Sequence, residues 1–273
     1  MSVIKERELM SASNWPAHRA VALLPGSLPL GGTVPMTPVH AFIGTPQALR
    51  LETELAIGPK RVDIALGGLL AFVIDQVVTN AEADAIVAAS EHMGFRDEAP
   101  GIATPPGMRM NKTVHWVADA ALMKPLFQRF AHLLPQSLGV ASLYPALSHR
   151  INMYRYDDDD IFNIHTDGSW PGYSLNQDHS QMQEWPHSIH SGLTMLLYLN
   201  GPQDGVQGGN TRLLHPDGSA VDVLPRKGSA LFFQHGFGPQ SVRHMGCRVV
   251  GAISKYVARI NVMYSETEVA RQI

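Results

Sequence analysis

The sequence predicts an α+β fold in which helices precede a series of short strands. Apolar residues recur at helical spacing in residues 79–94 and 120–134, and after about residue 148 the period changes to two. In this second part, glycine and proline separate short apolar runs, as they do between strands. This order of elements is typical of α+β proteins whose strands form a sandwich, a jelly roll or a barrel.

The composition is that of an ordered globular chain. The 273 residues are 45% hydrophobic and 16% charged, which excludes wholesale disorder. The formal net charge of -3 shows none of the excess of basic residues with which proteins bind nucleic acid. A single cysteine excludes a disulfide framework and fits a reducing compartment, so we expect a cytoplasmic protein. No apolar run approaches the roughly 18 residues that span a bilayer, and no membrane partner is expected.

The first 60 residues are the least informative part of the sequence. The opening segment mixes acidic with basic residues, unlike the basic start of a signal peptide. The apolar run 21–24 is broken at once by Pro25. We therefore divide the chain into an N-terminal extension over 1–60, with no function assigned, and a main domain over 61–273.

Local signals define the first elements of the main domain. Residues 69–75 form an apolar run of strand length. Thr79 and Glu82 have the spacing of a capping box, which predicts a helix that ends near Gly94. A second helix is expected over 120–134. Further strands are expected near 151–156, 194–200, 221–224, 229–234 and 255–264.

The sharpest local feature is His165-Thr-Asp167. In a strand, residues i and i+2 project to the same side, so an imidazole and a carboxylate can bind one cation. With a distant second histidine they would complete the facial triad of two histidines and one carboxylate that suits non-haem Fe(II). His215-Pro-Asp217 has the same spacing, but Pro-Asp-Gly favours a turn.

The second histidine is not fixed by spacing or chemistry. Both His235 and His244 follow the apolar run 230–234. On the residues alone, either of them could complete the triad.

Several segments together carry a resemblance to a known family. They are residues 150–156, 165–172, 196–200, 208–212, 224–235, 242–246 and 255–264, with upstream similarity over 72–95 and 109–135. In this order they resemble the Fe(II)/2-oxoglutarate-dependent oxygenases, in the branch similar to the prolyl 4-hydroxylase catalytic domain. The resemblance covers about residues 70 to 265 and implies a double-stranded β-helix, or jelly roll, supported by N-terminal helices.

The same resemblance implies the cofactors and their ligands. Fe(II), 2-oxoglutarate and O₂ are expected, with His165, Asp167 and His244 as metal and catalytic residues. A basic residue beyond the distal histidine would hold the far carboxylate of 2-oxoglutarate. Lys255 and Arg259 both qualify, and we favour Arg259 because its planar fork can meet a carboxylate in bidentate fashion.

Other site residues are also expected from this resemblance. Tyr156 matches a tyrosine that hydrogen-bonds the co-substrate, and Tyr154 and Thr194 are further candidates for the same cavity. The substrate candidates, which lie in segments expected to rim the mouth, are Trp170, Arg212, Arg109 and Asn111. The run 157–160 replaces a glycine-bearing turn with four aspartates, which fits a solvated loop or a negative rim that attracts a cationic substrate.

The function predicted is therefore a dioxygenase that hydroxylates an unactivated C–H bond while converting 2-oxoglutarate to succinate and CO₂. The substrate would be a small molecule or an amino-acid or protein side chain. Because Asp167 is a carboxylate, hydroxylation is favoured over halogenation. Two alternatives are a cupin-type metal enzyme that does not use 2-oxoglutarate and a non-catalytic β-sandwich binding module.

Overall fold

The computed structural model describes residues 15–266, and most of its elements are strands. In chain order the first are β1 His18–Ser27, β2 Thr33–Phe42, β3 Lys60–Asp63, β4 Ala71–Asp75, β5 Ala99–Pro100, β6 Lys112–Val117, β7 Ser137–Leu138, β8 Ala141–Leu147, β9 Arg150–Tyr156 and β10 Phe162–His165. The rest are β11 Tyr173–Leu175, β12 Met182–Glu184, β13 Ile189–Tyr198, β14 Gln207–Gly208, β15 Thr211–Leu214, β16 Ala220–Val223, β17 Ala230–Gln234, β18 His244–Gly246, β19 Val249–Val250 and β20 Lys255–Ser265. The α-helices are α1 Asn80–Met93 and α2 Ala120–Phe130.

Two sheets form the core of the protein. The major sheet has the order β3-β4-β17-β13-β20-β9-β6-β2-β1-β5, with β7 and β8 attached beside β20. The minor sheet has the order β10-β18-β15-β16. Side chains of β13, β17 and β20 pack against Leu213 of the minor sheet, so the two sheets face each other. This arrangement is the expected double-stranded β-helix.

The helices cover the outer face of the major sheet. Alternate residues of a strand point to opposite faces. Leu196 of β13 accordingly packs toward the minor sheet, whereas Met195 packs in the same apolar cluster as Ile86 of α1 and Phe130 of α2. The central strands are therefore buried on both faces, which explains why they read as nearly continuous apolar runs.

The start of α1 has the predicted capping box. The Glu82 N–H donates to Thr79 Oγ1 over 3.2 Å, and the Thr79 N–H donates to Glu82 Oε2 over 2.8 Å. Arg129 of α2 also donates to Glu82 Oε1 over 2.7 Å, which ties the two helices together. The predicted second helix is shorter than expected, because residues after Phe130 tighten into a 3-10 turn.

The N-terminal segment contributes two strands that the sequence did not reveal. β1 and β2 pair antiparallel, and β2 joins β6 in parallel. Pro25 lies inside β1, at a register shift between Leu24 and Gly26. Proline lacks the N–H of a sheet ladder and is tolerated in such irregular positions.

None of the helices within residues 15–266 combines the length and apolar character needed to cross a membrane.

Three histidine rings meet where β1, β2 and α1 join. His18 Nδ1 lies 3.2 Å from His40 Nδ1, and the His92 ring centroid lies 5.4 Å from that of His18. One imidazole must accept the hydrogen bond between His18 and His40, so at least one of them is neutral. Burial, with His18 and Arg96 nearby, lowers the pKa of His40 to about 4, and burial with His92 lowers that of His18.

We expect the stability of the fold to decrease as the pH falls below about 6.5, the ordinary pKa of histidine. The unfolded chain then binds protons that folded His40 resists, and the loss continues toward pH 4. Because His40 is not fully shielded from solvent, its contribution should stay below the limit of about 1.4 kcal/mol per pH unit for one group. Urea unfolding across this range should give a shallower slope for His40→Gln. The exposed control His187→Gln should retain the wild-type slope, and an unchanged slope in His40→Gln would contradict this account.

Candidate active site

Strand pairing brings the two predicted metal-binding histidines together. β10 and β18 are antiparallel neighbours with His165 opposite His244, and their ring centroids are 4.2 Å apart. Asp167 lies two residues beyond His165, just past the end of β10. One ligand atom from each of these three side chains lies within 4.8 Å of the others. No other group of three histidine, cysteine or acidic residues in 15–266 meets this distance.

Backbone carbonyls fix the tautomer of both histidines. His165 Nδ1 lies 2.7 Å from the Asn163 carbonyl oxygen, and His244 Nδ1 lies 3.2 Å from that of Val242. A carbonyl can only accept, so each Nδ1 carries the proton and each Nε2 keeps its lone pair. Burial lowers the pKa of His165 and lowers that of His244 to about 3. Both rings are therefore neutral near pH 7, as metal ligation requires.

Asp167 is ionised and held from two directions. Its Oδ2 atom accepts from Thr194 Oγ1 over 2.6 Å and from Arg259 Nε over 3.0 Å. Its Oδ1 atom lies 3.8 Å from His165 Nε2. Burial alone would raise the pKa of Asp167, but Arg259 and the neighbouring histidines hold it far below its ordinary value. The carboxylate therefore offers Oδ1 to a cation while Oδ2 is already occupied by donors.

The second candidate histidine, His235, lies behind the cluster and supports it. His235 Nδ1 is 2.7 Å from Thr194 Oγ1, and its Nε2 is 2.7 Å from Ser191 Oγ. Because Thr194 donates to Asp167, it accepts from the protonated Nδ1 of His235, and Ser191 donates to Nε2. Burial, with Arg259 nearby, lowers the pKa of His235 to about 4.

This relay was not anticipated from the sequence. Thr194 was expected in the co-substrate cavity, yet it is fully buried and directed at Asp167 instead. The only signal was the position of Thr194 in one apolar strand and of His235 directly after another, and the pairing of β13 with β17 that brings them together is a nonlocal property.

A cavity extends from the His165, Asp167 and His244 cluster to Lys255. It is lined by Tyr154, Tyr156, Phe162, Leu196, Thr211, Gly246, Val257 and Arg259 in addition to those four residues. Lys255 is 2% exposed and donates to the Gly209 carbonyl oxygen. Its Nζ lies 5.1 Å from the Tyr156 ring centroid, and no acidic side chain within residues 15–266 pairs with it. Burial lowers the pKa of Lys255 to about 8.

A second, more open cleft of about 420 Å³ reaches His165 and Asp167 of this cluster. Its walls include His165, Asp167, Arg259 and the segment 101–105. Trp170, a predicted substrate residue, lines this cleft. Arg259 therefore contributes to both cavities, as do His165 and Asp167.

The other three predicted substrate residues are not brought to the site. Arg109 is fully buried and donates to the backbone carbonyls of Asn111, Ser27 and Asp97. Asn111 is also fully buried and donates to the Lys112 carbonyl. Arg212 forms a bidentate pair with Asp222 on the minor sheet, with both distances 2.7 Å. These residues stabilise strands and loops, and none lines either cavity.

The acidic run 157–160 is also engaged in local structure. Asp157 accepts from Lys112 and Ser254, each over 2.7 Å, and Asp159 pairs with Arg248. The Asp157 N–H donates to Asp160 Oδ2 over 2.8 Å. These contacts support the interpretation of the run as a loop.

The second His-x-Asp motif forms a turn, in which Asp217 accepts from the Ser219 N–H over 2.8 Å.

Several solved structures resemble this chain at low identity. Viral collagen prolyl hydroxylase from Paramecium bursaria Chlorella virus-1 is 16% identical, with a TM-score of 0.49 over 74% of this chain and 99% of that one. A prolyl-4-hydroxylase from Pseudomonas putida is 15% identical, with a TM-score of 0.47 over 72% and 92%. A Trichoplax adhaerens prolyl hydroxylase, in complex with a hypoxia inducible factor peptide fragment, is 15% identical, with a TM-score of 0.47 over 72% and 83%.

The family is indicated by a separate comparison. No curated protein matches the chain. The profile of the 2OG-Fe(II) oxygenase superfamily matches residues 151–263, a range that contains the whole His165, Asp167 and His244 cluster. Residues 151–263 are therefore similar to the 2OG-Fe(II) oxygenase superfamily, and this similarity supports an oxygenase that depends on Fe(II) and 2-oxoglutarate.

Proposed function

We propose that His165, Asp167 and His244 are the Fe(II) ligands of this oxygenase. The observation that carries the proposal is the convergence of two unprotonated Nε2 atoms and one ionised carboxylate, each already oriented by a hydrogen bond. Two imidazoles and one carboxylate are the donor set that suits non-haem Fe(II) with open positions. When bound, Fe(II) and 2-oxoglutarate activate O₂ and oxidise a substrate C–H bond, with succinate and CO₂ as co-products.

The contacts favour Lys255, rather than Arg259, as the residue that binds the far carboxylate of 2-oxoglutarate. Arg259 already donates to Asp167, a proposed ligand, whereas Lys255 is a buried cation with no acidic partner in the described chain. The two residues are four apart on β20, which corresponds to about 13 Å along a strand. A dicarboxylate that is chelated at one end needs its second cation at a distance from the metal ligands, and Lys255 meets that requirement.

Two tyrosines are suited to donate to the same carboxylate. Tyr156 lies beside Lys255 across the β9–β20 pair, and its hydroxyl packs closely against Gly246. Burial raises the pKa of Tyr156 well above its ordinary value, and burial also raises that of Tyr154. Both hydroxyls therefore remain protonated, so they can donate hydrogen bonds to an anion.

The substrate is proposed to occupy the 420 Å³ cleft and to present a C–H bond to the metal side of Asp167. A cleft of this size suits a small molecule or a single side chain. Asp167 occupies the position of the third protein ligand, which supports hydroxylation over halogenation. The apolar walls contributed by Ile102, Ile164 and Trp170 would limit access of water to the reacting carbon.

The iron–co-substrate complex can be tested by anaerobic absorption spectroscopy. We expect a weak visible charge-transfer absorption that requires both Fe(II) and 2-oxoglutarate. Asp167→Ala should abolish it, because the metal loses its anionic ligand, whereas Asp217→Ala, in the second His-x-Asp motif, should leave it intact. Iron binding without this absorption would favour a cupin-type enzyme, and no iron binding would contradict the ligand assignment.

The assignment of Lys255 predicts an asymmetry between two variants. Lys255→Met should weaken 2-oxoglutarate binding by about 100-fold or more, since it removes one partner of a buried ion pair. Arg259→Gln should change the same affinity much less. Titration of 2-oxoglutarate into the anaerobic Fe(II) enzyme measures both, with melting temperatures as the folding control. If the larger loss occurred in Arg259→Gln, Arg259 would be the co-substrate residue.

A further inference from the structure

Arg259 is a buried cation. When 2-oxoglutarate binds at Lys255, part of the hydrogen-bonding capacity of the Arg259 guanidinium remains unused. Its side chain is 4% exposed, and Nε donates to Asp167 Oδ2 over 3.0 Å. Its Nη2 atom is buried and has no hydrogen-bond partner. A buried guanidinium N–H without an acceptor is unfavourable, so this atom is suited to an acceptor that arrives with a ligand.

Arg259 also forms part of the wall of a cleft. It lines the 420 Å³ cleft together with Trp170, and its Cζ lies 6.0 Å from the Trp170 ring centroid. Arg150 lies just behind the same wall, with Cζ 5.6 Å from that ring. An added Cβ at Gly101, another residue of the wall, would lie 3.4 Å from Arg150 Nη2.

Arg150 adds a second positive charge that is not neutralised locally. It is 5% exposed and donates to the Pro100 carbonyl and to His115 Nδ1, while its Nε atom has no partner. No acidic residue in the described part of the chain forms an ion pair with it. The wall between the metal ligands and Trp170 therefore contains two arginines and a single carboxylate, that of Asp167.

The charges of the loaded site reinforce this imbalance. The charge of Fe(II) is cancelled by the two carboxylates of 2-oxoglutarate. Asp167 cancels only one of the two lining cations, Lys255 and Arg259, and Arg150 remains in addition. Buried positive charge is costly unless it is paired, so the remaining ligand should bring negative charge.

We propose that the substrate is a small organic acid whose carboxylate binds Arg259 from the cleft side, beside Trp170. This inference rests on the proposed function and specifies its substrate class. Arg259 would hold Asp167 through Nε and the substrate through its terminal nitrogens, which places the carboxylate close to the metal ligands. The oxidised carbon would then be near the carboxylate rather than at a remote position on a long chain.

Two matched pairs of probes test this proposal without turnover. Acetate and benzoate are compared with acetamide and benzamide, at constant ionic strength, on the anaerobic Fe(II) enzyme saturated with 2-oxoglutarate. Melting temperature and the charge-transfer absorption are recorded during each titration. We expect each carboxylate to stabilise the protein and to perturb the absorption at a concentration at least about tenfold lower than its amide, since only the carboxylate forms a charge-assisted pair.

Variants locate the effect. Arg259→Gln should remove the preference for carboxylates, whereas Arg212→Gln, which alters a surface arginine remote from the cleft, should retain it. Equal behaviour of acids and amides in the wild type, or a preference that survives in Arg259→Gln, would overturn the proposal. Failure of the absorption to form with Fe(II) and 2-oxoglutarate alone would instead contradict the proposed function. If Arg259→Gln does not fold, equal behaviour of acids and amides in the wild type still overturns the proposal.

Discussion

The Asp167 carboxylate is the point on which the site depends. Its Oδ2 atom is bound by Thr194 of β13 and Arg259 of β20, both in the major sheet. The histidines that face it, His165 and His244, come from the minor sheet. The carboxylate therefore links the two sheets at the mouth of the jelly roll. Without these donors a buried carboxylate would be strongly unfavourable, and with them one oxygen remains for a cation.

The different roles proposed for Lys255 and Arg259 follow from the two-residue period of strand β20. Lys255 and Arg259 share one face of β20, with Val257 between them. Lys255 lines the cavity that also contains His165, Asp167 and His244, and Arg259 lines both this cavity and the 420 Å³ cleft. One strand can thereby present one cation to the proposed co-substrate site and another to the proposed substrate cleft.

Local patterns in the sequence were sufficient for the helices and for the central strands. The capping box at Thr79, the apolar period of β9 and β20, and the His165-Thr-Asp167 spacing are all contained within a few residues, and each is present in the structure. The strands β1 and β2 were not predicted, because Pro25 and its neighbours interrupt the pattern at a bulge.

Features that depend on pairing between distant strands could not be predicted. The register of β18 against β10 places His244, and not His235, opposite His165, and no local pattern encodes this register. The same is true of Arg109 and Arg212, whose segments were expected to rim the mouth but whose side chains bind backbone carbonyls and Asp222. The relay from Ser191 through His235 to Thr194 arises only when β13 pairs with β17.

The most direct test of this account is the metal affinity of Thr194→Val. The substitution keeps the shape of the side chain but removes the hydroxyl that joins His235 to Asp167. Anaerobic Fe(II) titration should show affinity reduced by about tenfold or more, as for other groups that orient a metal ligand. Thr113→Val, which removes an equally buried hydroxyl bonded to the Glu98 carbonyl, should bind Fe(II) like the wild type. Equal affinity in Thr194→Val and the wild type would contradict the claim that the bonds to Asp167 organise the site.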